Sequence, residues 1–180
     1  FLNPAFSAGV LAAAFAMFAI GGIELVTTQR FQQVVGFSPL EAGLLVAVIA
    51  VGSLPTALLV GAFLHRVGLL ALITGGLAVA TGGVVVTVVG FQSSFGVLVL
   101  GLLVTGAGLG AALSVASTAI IGNVPVRRAG MAASLEEVSY EFGSLIAVSV
   151  LGSLLTAIYT ASVVLPNGAP AAAGDGIAEA

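Results

Sequence analysis

Residues 67–126, VGLLALITGGLAVATGGVVVTVVGFQSSFGVLVLGLLVTGAGLGAALSVASTAIIGNVPV, contain no charged side chain. A helix needs ~20 apolar residues to cross ~30 Å of hydrocarbon, so this tract is long enough for two crossings. Phe91-Gln92-Ser93-Ser94 is the one polar interruption able to separate them. Working outward, residues 42–64 are uncharged. The chain opens with an apolar run from Phe6 to Val26, and another extends from Phe142 to about Leu165. The pattern predicts an all-α integral membrane protein with five helices over about 6–27, 40–64, 67–90, 95–121 and 129–161, followed by an extramembrane tail over 162–180. Strands of a membrane barrel would alternate apolar and polar residues. Leu44–Val51 and Val84–Val89 do not alternate, so helices are the better reading.

Composition supports a lipid environment. Of 180 residues, 59% are hydrophobic and 6% charged, and the mean hydropathy is +1.27. A soluble domain carries about 25% charged residues, so four arginines and seven acids cannot cover a water-exposed surface. The same count excludes nucleic acid as a partner, since that binding needs a basic stripe. The absence of cysteine excludes disulfides and thiolate metal sites, and a lone histidine has no second ligand to join it. The 25 glycines fit close packing of helices, and Gly106-Ala107-Gly108-Leu109-Gly110 reads as a packing surface rather than a phosphate loop. With no nucleophile or nucleotide motif, no enzymatic activity is expected.

The few charges also orient the chain. Arg66, beside His65, follows the second helix, and Arg127 and Arg128 precede the fifth. Three of four arginines then lie at one end, which by the positive-inside rule is cytoplasmic. Arg30 is the exception. Ser38-Pro39-Leu40-Glu41 is a capping box with proline at the first helical position, so the second helix starts there. Pro55 removes a backbone donor inside that helix, and Val124-Pro125 marks a break before the fifth.

Several stretches together resemble a known family. Gln32 to Gly43, with Gly36-Phe37-Ser38-Pro39-Leu40-Glu41-Ala42-Gly43 at its centre, is similar to a helix connection of major facilitator superfamily drug exporters. Gly61-Ala62-Phe63-Leu64-His65-Arg66-Val67-Gly68 looks like the C-terminal copy of that superfamily's cytoplasmic Gly-x-Leu-x-x-Arg-x-Gly turn, with Leu69 and Leu70 where a further basic residue often follows. Val124 to Ser134 resembles the next cytoplasmic connection. Glu136-Glu137-Val138-Ser139-Tyr140-Glu141-Phe142-Gly143 resembles the Glu-Glu-x-x-Tyr-Asp-x-Gly run of fourteen-helix drug:proton antiporters of the QacA antiseptic-resistance type, with Glu141 in place of the aspartate.

The resemblance implies five of the six helices of a C-terminal bundle in a multi-pass protein of the cytoplasmic membrane. It implies export of organic cations driven by the proton gradient, with no cofactor. The facing N-terminal bundle and a last helix are expected outside this chain. On the same grounds Arg66, Gly61, Gly68, Arg127 and Arg128 form the cytoplasmic turns.

Chemistry falls to four acids: Glu24, Glu136, Glu137 and Glu141. An ionised carboxylate inside a bilayer is costly, so it tends to be protonated, paired or hydrated. One acid can therefore hold a proton or face a cation, while apolar and aromatic walls bind the body of a lipophilic substrate. Ser134, Glu137, Glu141, Ser144 and Val148 form one helical stripe expected to face a cavity, with Glu136 about 100° away. Glu136 and Glu137 could instead pair with Arg127 or Arg128. Two registers compete: a span ending near Ser162 puts Glu141 at the interface, and one beginning near Ala129 puts it near the midplane. Glu24 reads as an interface residue beside Arg30 or as a gate or substrate contact. Tyr140 and Phe142 read as cation-site walls or as packing. Two other functions stay open: a structural role for a chain without activity of its own, or carriage of a neutral substrate.

Overall fold

The computed structural model describes residues 4–162, and the tail beyond them lies outside this description. Five long helices follow one another: α1 (Pro4–Gln29), α2 (Pro39–Val67), α3 (Leu69–Gly90), α4 (Phe95–Gly122) and α5 (Ala129–Ser162), with no strand among the described residues. All five are long and apolar enough to cross a membrane. The α2–α3 and α4–α5 connections share one end of the bundle, here the basic end, with Arg66, Arg127 and Arg128 all exposed.

Local chemistry sets the helix limits. The Ser38 amide donates to Glu41 Oε2 at 2.8 Å, and the Glu41 amide donates to Ser38 Oγ at 3.3 Å, so the capping box forms ahead of Pro39. α2 runs on through Pro55. A single residue, Gly68, joins α2 to α3 at φ 87°, a conformation that costs other residues a Cβ clash. Asn123 closes α4, and a 3₁₀ turn over Val126–Arg128 follows Pro125.

α1 goes further than hydropathy suggests. It widens into a π-helical turn over Arg30–Val35, capped by Gly36 at φ 82°. The wide turn buries Phe31, whose ring lies 4.9 Å from that of Phe37 and whose carbonyl accepts from the Phe37 amide at 2.9 Å. It also delivers Arg30 to the α3–α4 connection. There the guanidinium donates to the Phe91 carbonyl at 3.1 Å and lies 4.9 Å from the centre of the Phe91 ring. The exception to the charge rule therefore satisfies a carbonyl at the C-terminus of α3, which needs a donor from outside its helix.

α4 is the hub, with α3, α2 and α1 packed around it, while α5 rests chiefly on α1. Two sets of glycines make the close contacts possible. A Cβ on Gly106 would strike the Ile49 backbone of α2, and one on Gly110 would meet Ser53 at 2.5 Å. Gly101 and Gly108, one heptad apart, face Thr87 and Ala80 of α3 in the same way. Lipid tails are as apolar as leucine, so membrane helices associate through such close approaches rather than hydrophobic burial. In the middle of the bundle Ala16, Ala80 and Leu109 form one buried cluster of α1, α3 and α4.

Candidate functional site

A cavity of about 380 Å³ opens between α1, α2, α4 and α5, lined among others by Ile20, Ile49, Ser53, Ser114, Ser117 and Tyr140. Its position follows from the packing. α2 and α5 both flank the α1–α4 pair, and α5 touches α4 only marginally, so a space remains between them. Glycine helps shape it, because Gly110 draws α2 against α4 at Ser53, on the cavity wall.

The polar groups on that wall are mostly engaged. Ser53 Oγ donates to the Ala50 carbonyl at 3.0 Å, and Ser114 Oγ reaches across to the Ala57 carbonyl of α2 at 3.1 Å. Both hydroxyls spend their protons on the backbone and so present oxygen lone pairs elsewhere. The Tyr140 hydroxyl donates to Glu136 Oε1 at 2.6 Å. No charged side chain lines the cavity among the described residues, neither an arginine nor any of Glu24, Glu136, Glu137 and Glu141.

The acids of α5 divide between two faces. Glu136 is 7% exposed and lies on the buried stripe formed by Ala132, Ser139, Gly143 and Ala147. Its partner is Tyr140, not Arg127 or Arg128, which stand exposed in the 3₁₀ turn. Glu137 and Glu141 are exposed, as is Ser134, while Ser144 is half-buried beside Gly21 of α1. At about 100° per residue, Tyr140 is turned about 40° from Glu136, and Ser144, Glu137 and Glu141 continue further round on the same flank. Met131, Val138, Phe142 and Leu145 form a separate exposed apolar sector. The stripe expected from the sequence does share one flank of α5, but none of Ser134, Glu137, Glu141, Ser144 and Val148 lines the cavity, and exposed Val148 lies between the two acids on that flank. Phe142 belongs to the apolar sector, and Tyr140 to the cavity.

Height along the bundle follows from the neighbours. Gly143 abuts Ala14 and Phe18, at the middle of α1. Glu141 then lies ~3 Å and Glu136 ~10 Å from that level, towards the basic end. Glu24 is exposed on α1, one helical turn beyond Ile20 on the face that lines the cavity, towards the opposite end. Arg30 does not cover it, being committed to Phe91. Of the turn residues, Gly68 has the positive φ, whereas Gly61 has open space around its Cα and no packing reason to be glycine. No group of three metal-ligating side chains forms among the described residues.

Two features were missed in the sequence. The cavity is made by helices distant in sequence, and no local pattern encodes it. The burial of Glu136 had a signal: small residues at Ala132, Ser139, Gly143 and Ala147 mark the face that meets another helix.

The sequence profile described as Major Facilitator Superfamily matches residues 6–174. The methyl viologen resistance protein SmvA of Salmonella typhimurium is 31% identical over 165 residues, covering 89% of this chain and 32% of that protein. The multidrug efflux pump LfrA of Mycolicibacterium smegmatis is 30% identical over 171 residues, covering 91% of this chain and 32% of its own length. The multidrug resistance protein Stp of Mycobacterium tuberculosis is 29% identical over 163 residues, covering 91% and 30%. The chain spans about a third of the length of these relatives.

Proposed function

The chain belongs to the Major Facilitator Superfamily, and on that premise we propose that it supplies one helical bundle of a proton-coupled exporter of lipophilic organic cations. The observation that carries this reading is the cavity between α1, α2, α4 and α5, whose wall holds Tyr140 and no charged residue, with Glu137 and Glu141 exposed further round α5. Apolar side chains and the Tyr140 ring suit the body of an organic cation, and the exposed Glu137 and Glu141 suit its charge. Anionic substrates would call for a cation at the wall. The names of the relatives, which speak of methyl viologen resistance and multidrug efflux, agree with a cationic or mixed drug substrate.

On this reading the proton gradient is the energy source and no cofactor takes part. The basic end faces the cytoplasm, and membrane lipid surrounds the apolar sectors. Alternating access in such carriers uses two bundles that rock around a shared site. A facing bundle, and a last helix packed beside these five, would complete the transporter, and this chain alone would not transport.

The deciding experiment is efflux of a fluorescent organic cation from cells carrying the whole transporter. Glu141→Gln is expected to lower the efflux rate at least tenfold. Wild-type efflux in that variant would overturn the assignment. Orientation is checked separately in the whole transporter with any cysteine outside these 180 residues replaced, since the residues themselves contain none. A membrane-impermeant maleimide added outside intact cells should label Ser93→Cys and spare Val126→Cys, and the reverse would invert the topology.

A further inference from the structure

We propose that the pocket at the end of the bundle opposite the basic turns binds the headgroup of an anionic phospholipid, with the Arg30 guanidinium on its phosphate. This pocket of about 240 Å³ lies between the α1–α2 and α3–α4 connections, with Arg30, Phe31, Gln92, Ser93 and Ser94 among its walls. It shares no lining residue with the cavity between α1, α2, α4 and α5. Such a site needs a bilayer and not the transport reading above, so the two are tested apart.

Arg30 stands where the charge rule does not put a cation. A guanidinium has five N–H donors, and one of them is used here, on the Phe91 carbonyl at 3.1 Å. The group also lies over the Phe91 ring, 4.9 Å from its centre. An arginine already held at two points loses less conformational freedom when it takes up an anion. No acid lines the pocket. Of the acids towards this end, Glu41 accepts from the amide and hydroxyl of Ser38, and Glu24 precedes Arg30 by six residues, ~9 Å along the helix.

Depth points to a lipid rather than a dissolved anion. α3 has 22 residues, which at ~1.5 Å each rise ~33 Å, about the thickness of the hydrocarbon. Phe91 follows its last residue, so the bond from Arg30 to Phe91 puts the guanidinium at the border where phospholipid phosphates lie. The walls divide in the same sense. Phe31, Phe95 and Leu98 offer an apolar side suited to the first methylenes of the acyl chains, while Gln92, Ser93 and Ser94 stand exposed.

The polar wall selects among headgroups. Ser94 Oγ accepts from the Val97 amide at 3.4 Å, which leaves its own proton to donate. Ser93 and Gln92 add a second hydroxyl and an amide. These neutral groups suit the hydroxyls of a polyol. A choline or ethanolamine headgroup would instead bring a second cation beside Arg30, with no acid in the wall to receive it. A glycerol headgroup, as in phosphatidylglycerol, therefore fits best.

The test uses the whole transporter purified in detergent, with dioleoylphosphatidylglycerol as the probe. Native mass spectrometry reads the retained lipid, and thermal unfolding reads the stabilisation that binding brings. The unmodified protein should hold one such lipid at least about tenfold more tightly than dioleoylphosphatidylcholine. Arg30→Gln should weaken that site by about tenfold or more, since a charge-assisted pair to phosphate is lost. Val35→Trp fills the pocket from its exposed rim without touching the arginine, and should weaken it as much. In both variants the rise in melting temperature on adding the lipid should disappear. Arg30→Lys keeps the charge but not the fork, and should lose only severalfold.

Unchanged retention in either Arg30→Gln or Val35→Trp would overturn the proposal, leaving Arg30 as a structural clip between α1 and the α3–α4 connection. Equal retention of the two lipids by the unmodified protein would overturn it too. Displacement of the lipid by glycerol 3-phosphate at equal concentration would also do so, by making this a site for a soluble anion. Should Arg30→Gln fail to fold, Val35→Trp and Arg30→Lys still decide the matter.

Discussion

α4 (28 residues) and α5 (34 residues) each hold a comparably apolar stretch long enough to cross a membrane, yet they do opposite things. Half of the α4 span is buried inside the bundle, against 11% of the α5 span. α4 reaches its neighbours by lacking side chains: Gly101, Gly106, Gly108 and Gly110 let two helices touch its backbone. α5 touches mainly one helix and divides its surface into three sectors, one buried, one acidic and one apolar. The comparison teaches that hydropathy selects the solvent of a membrane helix but not its job. Small residues decide where a helix is gripped, and polar residues decide what its free flank can do.

The largest effect should come from refilling the α4 contact. Gly106→Leu would drive a side chain into the Ile49 backbone, which cannot step aside as a rotamer would. Overpacking of this kind costs ~3 kcal/mol or more when backbone must move. The variant should fail to accumulate as a folded protein, measured as loss of monodisperse material on size-exclusion chromatography in detergent. Normal yield and melting temperature would mean that α2 and α4 are not in backbone contact.

Gly143→Leu sharpens the contrast, because its Cβ meets the Ala14 backbone in the same manner. α5 is held chiefly by α1, whereas α4 is held from three sides. The expected result is local detachment of α5, with new protease sensitivity near the 3₁₀ turn and a preserved core of α1 to α4. Loss of the whole fold would show that α5 is as central as α4.

This division was only half legible in the sequence. Charge-free tracts of sufficient length revealed five helices, because nothing but a bilayer tolerates residues 67–126. The Ser38–Glu41 box was legible because capping is local, and the glycines of α4 because close packing demands them. The facing of α5 was not. Around a soluble helix, polarity separates inside from outside, but lipid is as apolar as a protein interior, so that contrast vanishes. Periodicity grouped Ser134 with Glu137 and Glu141 and set Glu136 about 100° away; the small residues Ala132, Ser139, Gly143 and Ala147 on its side were the one signal of burial, and packing on α1 realises it. The π turn at Arg30 was hidden for another reason: Arg30 is held by Phe91, 61 residues further along the chain.

A smaller effect separates two glycines of the basic turn. Gly68 sits at φ 87°, so Gly68→Ala should destabilise by ~1–2 kcal/mol. Gly61 is inside α2 with open space at its Cα, so Gly61→Ala should stabilise by ~0.5–1 kcal/mol through lower chain entropy. Thermal unfolding followed by circular dichroism reads both signs. Equal destabilisation would indicate that Gly61 packs against something beyond these five helices, which would make it part of an interface rather than a spare glycine.

The smallest effect tests the apolar sector of α5. Val138 is 51% exposed and lies on the flank away from α1 and the cavity. If that flank meets only lipid tails, Val138→Leu changes neither packing nor solvation, and stability should move by less than ~0.5 kcal/mol. Glu141 stands about 60° from Val138 around the helix, so the same substitution also measures where the acidic flank ends. Unchanged melting with unchanged efflux would place the border between these two residues. A fall in efflux alone would widen the substrate path into the apolar sector, and α5 would then present two working faces to the cavity instead of one.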